Sequence, residues 1–231
     1  MNVLRKIGVF GDSILKGIQL NPENKRYRVD NHIDTDMLSR KYSLEIKNCS
    51  KFGCTAKKGG AVLEKHLENG LICDAVIMDF GGNDCDFDWK AISEHPDTAH
   101  EPNVPLAVFV DTYREIIRKL KQKNILPILT TLPPLDPQRF FNWFFKGLNK
   151  ENILKWLGSV NAIYRYQENY SRTVEKIARD EAVPLVDLRG AFLRHHRIEH
   201  FICDDGTHPN TAGQALITAA FSEFAQTMVL A

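Results

Sequence analysis

Residues 6–15 read Lys6-Ile7-Gly8-Val9-Phe10-Gly11-Asp12-Ser13-Ile14-Leu15, a short apolar run that stops abruptly at glycine, aspartate and serine. The run, Lys6–Phe10, has the length and composition of a strand buried on both faces, and its ending puts Ser13 on the turn from that strand into a following helix. Four more runs repeat the pattern: Leu44–Asn48, Ala75–Phe80, Ile125–Thr131 and Pro184–Asp187, each followed by Gly, Asn, Pro or Asp. Phe109, Tyr113, Ile116, Ile117 and Leu120 recur at helical spacing, as do Ile163, Tyr166, Tyr170, Val174 and Ile177, and both sets are expected to face the core. Thr211 to Val229 is helical in pattern too, with Asn210 placed to cap it. Alternating strands and helices specify an α/β fold: a five-stranded parallel sheet covered on both faces.

Composition narrows the function. At 231 residues and 43% hydrophobic, residues 1–231 are expected to form a single domain around one core. Thirty basic residues against twenty-nine acidic ones give a net charge of +1, so no global field attracts nucleic acid or an anionic membrane. A small molecule is the expected partner. The N-terminal apolar stretch is broken by Gly8 and Asp12 before a signal-peptide core can form, and no run approaches the roughly 20 apolar residues of a membrane span. The five cysteines, Cys49, Cys54, Cys73, Cys85 and Cys203, are odd in number, scattered and without a CxxC pair, which reads as a reducing cytoplasm.

One segment exceeds a minimal five-strand sandwich. Pro133 to Gly158 carries Phe140, Phe141, Trp143, Phe144, Phe145, Leu148 and Trp156, and it starts at the carboxyl end of the fourth strand, where open parallel sheets bind ligands. Two readings stand side by side: Phe140, Trp143 and Phe144 wall a substrate pocket, or the segment packs on the body or on a second subunit, making a homo-oligomer.

The chemistry-bearing residues lie in the loops after the strands. A Gly-Asp-Ser tripeptide alone is no more than a turn. Near the other end, however, Cys203-Asp204-Asp205-Gly206-Thr207-His208-Pro209 sets an acid three residues before a histidine in one tight loop. A serine hydroxyl is a poor nucleophile at neutral pH and requires a base, which in turn requires a partner to fix its tautomer. Asp205 and His208 supply both. The second strand is followed by Ser50-Lys51-Phe52-Gly53, and the third by Gly81-Gly82-Asn83-Asp84, so that a backbone N–H at Gly53 and the Asn83 amide can meet an oxyanion on the same sheet edge as Ser13. Asp12 is expected to brace the serine turn. His195, His196 and His200 read as a solvated basic loop, and neither the cysteines nor Asp84, Asp86 and Asp88 have the spacing of a metal site.

Taken in order, GDSIL at 11–15, a glycine after the second strand, GGND at 81–84 and DGTHP at 205–209 resemble the SGNH/GDSL hydrolase superfamily. The resemblance spans residues 11 to 209. It implies a flavodoxin-like three-layer α/β/α sandwich, Ser13 as nucleophile, His208 as base oriented by Asp205, and an oxyanion hole from the Ser13 N–H, the Gly53 N–H and the Asn83 amide. No cofactor or metal is implied. The expected activity is cleavage of a carboxylic ester through an acyl-enzyme, with a small-acyl esterase or carbohydrate O-deacetylase first. The alternatives are a lysophospholipase or thioesterase on longer chains, an acyltransferase, and a binding module that kept the fold; the last has no need of Ser13, Asn83, Asp205 and His208 together.

Overall fold

The computed structural model of the protein describes residues 4–30 and 32–230, with the backbone alone for residues 229 and 230. In chain order, β1 (Lys6–Gly11) leads to a hairpin of β2 (Ile18–Leu20) and β3 (Tyr27–Val29), then to α1 (Thr35–Tyr42), β4 (Glu45–Asn48), α2 (Ala56–Glu68) and β5 (Ala75–Asp79). There follow α3 (Trp89–Glu94), α4 (Leu106–Gln122), β6 (Leu126–Thr130), α5 (Pro137–Phe144), α6 (Lys150–Leu157) and α7 (Asn161–Asp180). The chain closes with β7 (Leu185–Val186), α8 (Leu188–Leu193), a 3₁₀ turn at Ile198–Phe201 and α9 (Thr211–Leu230).

Five strands pair in the order β4-β1-β5-β6-β7, all parallel, with Val9 of β1 opposite Asn48 on one side and Ile77 on the other. These are the five strands read from the sequence. Strand residues alternate between two cores, as the pleat requires. Val76 and Met78 pack with Phe109, Tyr113, Ile117 and Leu120 of α4 and with Val174 and Ile177 of α7, while Ala75, Val9 and Ile128 pack with Phe192 of α8 and Ile217 of α9. The result is a three-layer α/β/α sandwich whose loops at the strands' carboxyl ends all open on one edge. Asn210 caps α9 as expected, its side-chain oxygen accepting the Gly213 N–H at 3.1 Å.

Two expectations change. No helix follows Ser13: a single turn closes with the Lys16 N–H on the Asp12 carbonyl and the Gly17 N–H on the Ile14 carbonyl, and the chain passes directly into the β2–β3 hairpin. Gly17, at φ +75°, takes the left-handed conformation that ends the turn. A helix dipole therefore contributes nothing at Ser13. On α7, Ile163, Tyr170, Val174 and Ile177 are buried, but Tyr166 remains 38% exposed.

The segment from 133 to 158 folds as α5 and α6. Phe140, Phe141, Phe145, Ile153 and Leu157 bury against Phe87, Ile92 and Ile163, forming a third apolar cluster beside the sheet edge. Its junction with the 203–208 loop requires glycine. Gly206 sits at φ +79°, accepts the Asp136 N–H on its carbonyl at 2.8 Å, and has no room for a Cβ, which would stand 2.3 Å from the Phe140 nitrogen.

Candidate active site

Two loops of the sheet edge, the one after β1 and the one from 203 to 208, bring Ser13, His208 and Asp205 together. The Ser13 hydroxyl Oγ lies 2.9 Å from His208 Nε2, and His208 Nδ1 lies 2.7 Å from Asp205 Oδ2. All three are buried, and Asp205 is inaccessible to solvent. The acid is fixed on its second oxygen as well: Asp205 Oδ1 accepts the N–H groups of Thr207 at 2.9 Å and His208 at 3.1 Å. Burial acts to raise the Asp205 carboxyl, but the hydrogen bond and charge of His208 together with those two N–H groups outweigh it and leave it below the ordinary carboxylate range. The ionised carboxylate accepts from Nδ1–H, which leaves the Nε2 lone pair toward Ser13. The loop is closed by the Cys203 N–H on the His208 carbonyl at 2.8 Å and by an antiparallel bridge between Ile202 and Pro209.

Asn83 stands beside the serine loop, its amide Nδ2 donating to Asp12 Oδ2 at 3.0 Å and to the Cys54 carbonyl at 3.3 Å. Asp12 holds two loops at once, since its Oδ1 accepts the Ile14 N–H at 2.8 Å. The Asp12 carboxyl is pushed well up by burial and by the neighbouring Asp79 charge. Gly53, at φ +66°, turns the loop after β4 in the left-handed conformation. Phe52, just before it, packs its ring parallel to His208 with centroids 6.0 Å apart, while Tyr27 of the hairpin meets the same imidazole at 5.1 Å. Burial raises the Tyr27 hydroxyl, with the Asp205 charge adding to it.

The site opens into a cavity of about 180 Å³. Asp12, Ser13, Asn83 and His208 line one end, and Phe87, Trp89, Phe140, Phe144 and Tyr166 wall the rest. These rings touch in a continuous chain: Phe87 meets Trp89 at 5.6 Å and Tyr166 at 4.9 Å, and Phe140 meets Phe144 at 4.5 Å. Of the three aromatics expected from the insertion, Phe140 and Phe144 thus line the cavity. Trp143 lies outside that lining, beneath the Lys146 ammonium at 4.1 Å from its ring centre and close to the Tyr27 hydroxyl. His195, His196 and His200 are exposed and stand away from the cavity.

Sequence reasoning missed the contribution of Tyr27 and Phe52 at the histidine, and of Asp86, Phe87, Trp89 and Tyr166 in the wall. A signal for the first existed: Asn21-Pro22-Glu23-Asn24 is turn chemistry between two short apolar pieces. The second had none, because which side of the GGND loop faces the cavity is decided by the packing of α3 and α6.

The comparisons with known proteins agree with this architecture. The model of the GDSL-like lipase/acylhydrolase family matches residues 9–216. The chain belongs to that family. A lipase/acylhydrolase from Enterococcus faecalis superposes with a TM-score of 0.68 at 21% identity, covering 97% of each chain. An acetylxylan esterase, Axe2 from Geobacillus stearothermophilus, gives 0.64 at 19% identity over 96% of this chain and 94% of its own. The psychrotrophic esterase EstA from Pseudoalteromonas sp., in a structure inhibited by monoethylphosphonate, gives 0.62 at 14% identity over 98% of this chain and 100% of its own. At these identities the structural likeness carries the fold of the GDSL-like family and not a substrate. No curated protein sequence matches the chain. Among the described residues, no helix is long and apolar enough to cross a membrane.

Proposed function

We propose that this GDSL-family chain hydrolyses carboxylic esters of small acyl groups through an acyl-enzyme on Ser13. The supporting observation is the unbroken hydrogen-bond chain from Ser13 Oγ through His208 to Asp205. In the first step His208 Nε2 takes the hydroxyl proton as Oγ bonds to the ester carbonyl carbon. The negative oxygen that results is met by N–H donors at Ser13 and Gly53 and by the Asn83 amide. Collapse breaks the bond to the alcohol, which leaves with the proton from His208, and water repeats the sequence to free the acid and Ser13. Asp205 stays ionised throughout and stabilises the imidazolium.

Asn83 enters this scheme already engaged by Asp12 and by the Cys54 carbonyl. Its amide therefore turns part of one existing bond toward the oxyanion as charge develops. Asn83→Ala is expected to lower kcat by about 10²–10³ with little change in KM, the pattern of a bond made mainly in the transition state. Steady-state kinetics on one chromogenic ester measure this, and an undiminished kcat would reduce Asn83 to a turn former.

Acyl size follows from the cavity. About 180 Å³ is below the roughly 300–1,000 Å³ of pockets for drug-sized ligands. That space suits an acetyl-sized group, and an acetylated carbohydrate is the first candidate substrate. A series of p-nitrophenyl esters tests it: kcat/KM is expected to peak at two to four acyl carbons, roughly the reach of such a space, and to fall steeply by eight. A maximum at long chains would favour the lysophospholipase or thioesterase reading.

A further inference from the structure

On the aromatic wall of the cavity beside Ser13, Asp86 stands with no cation against it among the described residues. It lines the cavity among Phe87, Trp89, Phe140, Phe144 and Tyr166, and no lysine or arginine is among the lining residues. The Trp89 indole N–H donates to Asp86 Oδ1 at 2.7 Å. Burial raises this carboxyl to about 6, while the N–H groups of Trp89 and Phe87 favour its ionised form. Asp12 and Asp79 line the same cavity and bring no positive charge.

Asp86 is half-buried, and its carboxylate is met by two N–H groups but by no cation among the described residues. Aromatic rings attract cations through their π-systems, most strongly where water is excluded, and Phe87, Trp89, Phe140, Phe144 and Tyr166 line the cavity with Asp86. An anionic phosphate or carboxylate would be repelled. A plain acyl chain would cover Asp86 and leave its charge uncompensated. A neutral hydroxyl would satisfy one oxygen but would leave the Asp86 charge uncompensated and gain no cation–π attraction. A compact ammonium group uses both features together.

We propose that the aromatic end of the cavity takes an ammonium group of the substrate while its Ser13 end holds the small acyl group, with Asp86 as counter-ion and the rings of Phe87, Trp89 and Tyr166 around the ammonium. This rests on the ester-hydrolase reading only in naming the occupant part of an ester. An acetylated carbohydrate meets the requirement where it carries a free amine.

Isothermal titration of the full-length protein with choline and with its neutral isostere, 3,3-dimethylbutan-1-ol, separates charge from shape. Choline is expected to bind roughly tenfold tighter or more, with the ratio falling to about one in Asp86→Asn, where the amide oxygen can still accept from Trp89. Tyr166→Leu, at a half-exposed position, is expected to weaken choline several-fold and leave the alcohol unchanged. It serves as the second variant should Asp86→Asn not fold. Equal affinities on the wild type, or a preference that survives in Asp86→Asn, overturn the proposal. Hydrolysis of p-nitrophenyl acetate by the same preparation reports separately: an active enzyme indifferent to choline removes this inference alone. An inactive chain that binds choline removes only the esterase reading.

Discussion

Ser13→Ala is expected to lower kcat for a chromogenic ester by about 10⁶, the scale of losing the nucleophile of a serine triad, while the protein stays folded. The structural cost is small because Ser13 is replaced by a slightly smaller residue, and His208 keeps its bond to Asp205. Circular dichroism melts on both proteins check that. A fluorophosphonate probe followed by intact-mass measurement should add one label to the wild type and none to the variant. Cys85 is the competing nucleophile in the cavity, but burial pushes its thiol well up and keeps it protonated and unreactive. Persistent labelling of Ser13→Ala at Cys85 or elsewhere would remove Ser13 from its assigned role.

The sheet was readable because parallel strands covered on both faces are nearly continuous apolar runs. Lys6–Gly11, Glu45–Asn48 and Ala75–Asp79 differ from their sequence readings by one residue at one end. Of the candidate site, the order of the loops on one sheet edge was enough to anticipate that Ser13 would meet His208 and Asp205, with Asn83 beside the serine loop. What failed was local. Ser13 was given a helix because strand-to-helix turns are the default in such folds, whereas Gly17 and the three-residue pieces Ile18–Leu20 and Tyr27–Val29 make a hairpin too short to show a period. That hairpin matters, for it delivers Tyr27 to the face of His208.

The aromatic insertion shows the other limit. Its composition announced apolar burial but not direction, and α5 sends Phe140 and Phe144 to the cavity while Phe145 turns fully inward. Gly206 then locks α5 against the loop of Asp205 and His208. The acid–base pair and the cavity wall are therefore one packed unit, although about seventy residues separate them in sequence. Changes in α5 should be felt at the histidine through that junction.

The acid is decided by two neighbouring aspartates with opposite environments. Asp205 is fully buried and bonded to His208 Nδ1 at 2.7 Å, whereas Asp204 is exposed and pairs with the Lys25 ammonium of the hairpin at 2.7 Å. Asp205→Asn keeps the shape but can present an amide N–H to Nδ1, which favours the tautomer whose Nε2 carries the proton and cannot accept one from Ser13. The expected loss in kcat is about 10⁴, the scale of that change in serine triads. Asp204→Asn should retain most activity, because an exposed ion pair contributes little and the loop is closed by other bonds. Its remaining effect would come from a looser hairpin, and so from Tyr27, and would show in KM before kcat. Measuring both variants on one ester assigns the acid, and a larger loss at Asp204 would mean that Asp205 only shapes the loop.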